Sequence, residues 1–155
     1  MIAAALLLLP LSATPMPAED RPMTKQVSDY LATEKWPEVF QTVEIWSRLS
    51  KDERARLVEL LAPALTDRSR VALRDTQDLI IPYRLDTGDL KFQGHGLVVR
   101  QDLFTTGGRA AWAISRLLEI DLPELNEGLT KAQWAERAAD IAARAKSPQA
   151  PDKPK

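Results

Sequence analysis

The stretch TTGGRAAWAISRLL, residues 105–118, decides how the chain reads. Thr105 and Thr106 offer hydroxyls that can cap the first free amides of a helix, two glycines follow, and Ala110, Ala111, Ile114, Leu117 and Leu118 then recur at helical spacing. A segment with that pattern is a helix whose apolar side lies against a core. The same face logic, carried outward, makes most of the chain helical.

Upstream, Ser50-Lys51-Asp52-Glu53 fits a capping box, with the Ser50 hydroxyl accepting from the amide of Glu53 and the Glu53 carboxylate reaching back. Leu57, Leu60, Leu61 and Ala64 line one side of the helix it starts, with Asp52 and Arg56 four apart on the outer face, and Pro63 ends or kinks it. Before it, Pro37 suits a first helical turn, and Val39, Val43 and Trp46 form a stripe with Phe40 beside it and an outward Glu44/Arg48 pair. A further helix is expected from about Thr24 to Lys35, carried by Val27, Tyr30 and Leu31. Near the end, Thr130-Lys131-Ala132-Gln133 repeats the capping pattern, and Trp134, Ala138, Ile141 and Ala145 follow at spacings of four, three and four.

Residues 79–100 break this habit. Tyr83/Leu85 and Leu90/Phe92 alternate with Arg84, Asp86, Lys91 and Gln93, a period of two that predicts strand. Asp86-Thr87-Gly88-Asp89 supplies turn chemistry between the halves, and Gly94-His95-Gly96 turns the chain again into Leu97-Val98-Val99. The expectation is an antiparallel hairpin or three-stranded flap inserted in a mainly α domain, packing its apolar face on the helices because a lone hairpin is marginal in water.

RLVELL (residues 56–61) and GGRAAWAISRLL (residues 107–118) resemble helices of small exported bacterial proteins related to HEAT-type helical repeats. The resemblance covers those helices alone. It implies a helical scaffold of HEAT-like helix pairs used for protein contacts, and it carries over no catalytic residue. No self-repeat recurs at the roughly 40-residue period of such arrays, and the expected flap departs from a pure helical array.

The apolar run Ile2 to Leu9, the prolines at 10, 15 and 17 and the small residues Ala13 and Ala18 make residues 1–18 a signal peptide, although no basic side chain precedes Arg21. A membrane anchor needs about 20 apolar residues, and Pro10 interrupts the run long before that. Export places the mature protein in the periplasm or outside the cell. Residues 19–146 form one domain, and 147–155 (SPQAPDKPK) make a disordered tail that lacks any apolar anchor. Without cysteine there is no disulfide framework. Lys and Arg total 21 against 22 Asp and Glu, so no net field draws nucleic acid or an anionic membrane as a default partner.

Candidate chemistry is sparse. His95, the single histidine, excludes multi-histidine metal sites; between two glycines it reads as a turn residue, or as an exposed acid or base near Asp86, Asp89 or Asp102. Those three aspartates lack the spacing of a calcium loop. Asp86-Thr87-Gly88 matches the triplet of aspartic proteases but stands alone, and reads as a turn. Gly107, Gly108 and Arg109 form a candidate anion site, since free amides at a helix start are joined there by a guanidinium; the alternative is an ordinary cap. Arg109, Trp112 and Arg116 fall three and four apart, a tryptophan between two arginines, and form the candidate partner-binding face. The competing reading has Trp112 covered by the flap with the arginines stacked on it.

No cysteine nucleophile, metal cluster, glycine-serine nucleophile turn or nucleotide loop is present in the sequence, so no catalytic residue, metal or cofactor is assigned. The expected function is protein binding in the cell envelope or extracellular space. A carboxylate-based envelope hydrolase or lyase, using the acidic run Glu119, Asp121, Glu124 and Glu127, and a small-anion carrier are the alternatives. Mature chains isolated from the envelope should begin at Thr14 or Glu19 by N-terminal sequencing; a first residue of Met1 would remove the export reading.

Overall fold

Helix α5 (Thr106–Leu118) runs through the middle of the molecule in the computed structural model, which describes residues 20–92, 96–120 and 130–146. Around it lie α1 (Asp20–Ala32), α2 (Trp36–Ser47), α3 (Lys51–Leu61) and α6 (Lys131–Lys146), together with a 3₁₀ turn at Ala62–Thr66 that α5 also packs against. Between the first three helices and α5 the chain makes β1 (Leu79–Ile80), the one-turn helix α4 (Pro82–Asp86) and β2 (Leu97–Val98). The protein is mainly α. The expected signal, tail, His95 and residues 121–129 lie outside the described residues.

The helix starts follow their sequence signals. Ser50 and Glu53 form the full capping box on α3, and hydrogen bonding to Ser50 holds the Glu53 carboxyl below its ordinary pKa. Pro37 sits in the first turn of α2. Thr130 and Gln133 exchange the reciprocal bonds of a cap ahead of α6. Val39, Val43 and Trp46 on α2, Leu57, Val58 and Leu61 on α3, and Val27 and Tyr30 on α1 are buried against Ala110, Ala111, Ile114 and Leu117. Helix α5 approaches so many partners because its inward residues are glycine, alanine and serine; nearly all of its first ten positions are buried. Asp52 and Arg56 both lie on the exposed face, and Arg56 makes an ion pair of 2.9 Å with Glu59.

The antiparallel flap does not form. The sheet has two strands, β1 and β2, paired in parallel with Leu79 opposite Leu97 and Ile80 opposite Val98. The expected first strand, Tyr83 to Leu85, is helix α4. Two features defeat the alternation. Pro82 opens a helical turn, and Arg84, placed outside by the period of two, is fully buried. Its guanidinium grips Asp102 at both oxygens, 3.1 Å from Nε and 2.9 Å from Nη2, and meets Asp89 at 2.5 Å through Nη1. Phe104 lies 5.0 Å beneath it. That pairing holds the Asp89 carboxyl below its usual range. Leu90 is buried and Phe92 partly exposed, but neither lies in a strand. The turn at Asp86–Asp89 does form, with Gly88 at φ +77°.

Asp102 also anchors the entry to α5. Its backbone carbonyl accepts from the Thr105 hydroxyl at 2.9 Å and its carboxylate from the Phe104 amide at 3.1 Å. Gly108 is pressed against this corner, where a Cβ would stand 2.0 Å from the Asp102 carbonyl oxygen. Neither group can retreat, since both are backbone. Gly108→Ala should therefore cost about 1–3 kcal/mol of stability, measured by urea unfolding with tryptophan fluorescence; a midpoint equal to that of the parent would show that the corner is loose.

Candidate functional site

Spacing along α5 puts Arg109, Trp112 and Arg116 on one face, but the fold separates their roles. Arg109 is fully buried. It reaches the C-terminal end of α1, where Nη1 donates to the carbonyls of Leu31 at 3.0 Å and Thr33 at 2.5 Å, with Tyr30 at 3.4 Å. Nε donates to Leu103 at 2.9 Å and Nη2 to Ala72 at 3.4 Å. The last carbonyls of a helix lack partners within it and carry the negative end of its dipole, so a cation belongs there. The Tyr30 hydroxyl returns a bond of 2.9 Å to the Arg109 carbonyl, and burial raises the Tyr30 pKa far above its ordinary value. Burial also lowers that of Arg109. Arg109 is thus a clamp between α1 and α5, unavailable to a partner or a free anion.

The amides expected to bind an anion are likewise occupied. Thr106 N donates to the Ser69 carbonyl at 3.0 Å, Gly107 N to Asp67 at 2.8 Å and Gly108 N to the Thr105 hydroxyl at 3.1 Å. Gly107, Gly108 and Arg109 therefore form a cap docked on the 67–72 segment. The ordinary cap is the reading that fits.

Trp112 and Arg116 remain at the surface. Trp112 is half-buried and continues an edge-on aromatic row, 5.4 Å from Phe40, which stands 5.5 Å from Trp36. Its Nε1 is buried and has no hydrogen-bond partner among the described residues. The exposed Arg116 guanidinium lies 5.6 Å from the Trp112 ring and makes no ion pair among the described residues. The neighbouring acids are engaged elsewhere: Glu44 pairs with Arg48 at 2.8 Å, and Glu119 lies 3.5 Å from Arg54.

Around these two side chains the surface is concave. An apolar compartment of about 540 Å³ is lined by Trp36, Phe40, Val43, Leu97, Val98 and Trp112. A more polar one of about 600 Å³, with Arg100, Gln101, Ser115 and Glu119 in its walls, adjoins it. Both share Ser47, Val98, Trp112 and Arg116, so they read as two halves of one groove between α2, β2 and α5. Leu97 and Val98 are 47% and 58% exposed, which makes this rim greasy as well as open.

Among the described residues no group of His, Asp or Glu is placed to hold a metal ion. Compared with protein-family models, characterised proteins and solved structures, the chain has no match.

Sequence reasoning named Trp112 and Arg116 and missed the opposite wall. Phe40 was visible beside the α2 stripe and Leu97-Val98 as a strand, but nothing in either pattern tells which side each presents. Replacing Arg109 by Met should remove about 3 kcal/mol or more by leaving buried carbonyls without donors. Arg116→Met should cost under about 1 kcal/mol. Both are read by chemical denaturation, and equal losses would refute the division between clamp and surface.

Proposed function

We propose that this chain is a protein-binding module, exported by its N-terminal signal and working in the periplasm or outside the cell, whose site is the groove between α2, β2 and α5. The observation that carries this reading is the aromatic row Trp36, Phe40 and Trp112, facing the exposed Leu97 and Val98, with the unpaired Arg116 above it. Aromatic side chains and arginine around a partly desolvated hollow are the composition that dominates binding energy at protein interfaces. A large apolar hollow left open to water has no purpose in packing. Helices α2 and α5 both contribute side chains to its walls.

The anion-carrier reading loses its support, because the amides it needs bond within the chain. Of the acidic run behind the hydrolase reading, Glu119 is exposed and beside Arg54, and Asp121, Glu124 and Glu127 lie outside the described residues.

Photo-crosslinking tests the groove directly. A benzoylphenylalanine at position 97 of the full chain, irradiated in intact cells, should capture a discrete protein, and Arg116→Glu should reduce that product about 10-fold. The same probe at position 59, on the exposed side of α3, should not capture it. Equal products from 97 and 59, or indifference to Arg116→Glu, would overturn the assignment.

A further inference from the structure

The strand that forms one wall of the groove has an unused edge. In the parallel ladder Leu79 pairs with Leu97 and Ile80 with Val98, and Val99 N donates to the Ile80 carbonyl at 2.8 Å. Successive residues of a strand direct their backbone groups to opposite sides. With Leu97 and Val99 turned toward β1, the N–H and C=O of Val98 point away from it, and neither is bonded among the described residues.

The position of the apolar compartment shows where that edge looks. Leu97 and Val98 both line it, although neighbouring side chains on a strand stand on opposite faces. A hollow touched by both lies along the strand's edge and not over one face. Ile80, the β1 residue with accessible surface, does not line it, which puts the hollow on the side away from β1. The unbonded edge of β2 thus opens into the same groove as the aromatic row and Arg116.

We propose that the groove takes an extended segment of a partner protein as a third strand on β2, with one apolar side chain in the Trp36/Phe40/Trp112 compartment and an acidic group on Arg116. This rests on the protein-binding reading above and specifies its partner. Charge decides the acidic group: Arg116 faces the groove with no ion pair among the described residues, while the two acids that also line it, Glu44 and Glu119, are beside other arginines. Main-chain bonds to an edge strand supply affinity, and the pockets for alternate side chains supply selectivity. A two-residue edge offers few backbone bonds, so the aromatic compartment and Arg116 must provide much of the discrimination.

The test uses a phage-displayed library of random octapeptides selected on the full chain, and enriched peptides synthesised with and without a single backbone N-methyl group. The expected result is a selected pattern of apolar residues at alternate positions with one acid. Arg116→Glu should weaken binding at least about 10-fold with unchanged thermal unfolding, and one N-methyl position should weaken it by a similar factor. Peptide addition should also slow hydrogen exchange at the Val98 amide. Peptides that bind, respond to Arg116→Glu and tolerate every N-methyl would overturn strand addition while leaving the binding groove in place. Peptides indifferent to Arg116→Glu, or no enrichment, would overturn the proposal, and the crosslink from position 97 then decides whether the groove binds protein at all. A concentration-dependent dimer abolished by Arg116→Glu would assign the groove to a second copy of this chain and overturn the partner segment.

Discussion

The packing of the helices depends on a guanidinium that pairs with no acid among the described residues. Arg109 sits on the central helix and donates to carbonyls of Leu31, Thr33, Leu103 and Ala72, so one side chain holds the end of α1, the loop before α5 and the 67–74 segment together. A buried charge is costly unless its bonds are met. Here the negative end of the α1 dipole and a ring of carbonyls take the part of a carboxylate, and the charge becomes the reason these separate segments meet at one place.

A second arginine organises the other half. Arg84 ties α4 to Asp102, and Asp102 in turn fixes the first turn of α5 through Thr105 and the close approach of Gly108. Val98 stands four residues before Asp102, so one wall of the groove is joined to the other by a short, doubly fastened connection. Trp112 and Arg116 ride on the same helix that this connection starts. Both walls are therefore held in place by bonds within the chain, and the binding proposed above would not have to supply the energy of assembling them.

The helices were legible in the sequence because caps and periodicity are local. Ser50 with Glu53, Thr130 with Gln133, Pro37 and Thr105 each mark a start within a few residues of where the helix begins. The flap was not legible, because the alternation around Arg84 presumed that an arginine faces water. Asp102, eighteen residues away, reverses that presumption, and no local pattern records such a partner. Arg109 was misjudged in the same way: spacing gives the face of a helix but not how many faces are covered, and α5 is surrounded. Leu97-Val98 formed a strand, yet its parallel partner precedes it in the chain and its free edge became visible only once β1 was in place.

The make-up of α5 also divides the positions that can change from those that cannot. A Cβ at Gly108 must push the Asp102 carbonyl away, and Gly107, Ala110, Ala111 and Ala113 are buried, whereas Leu97, Val98 and Arg116 border open space. In the binding role proposed above, a few substitutions along the groove would retune the same scaffold to segments of different sequence, so the fold alone would carry little information about what such a chain binds.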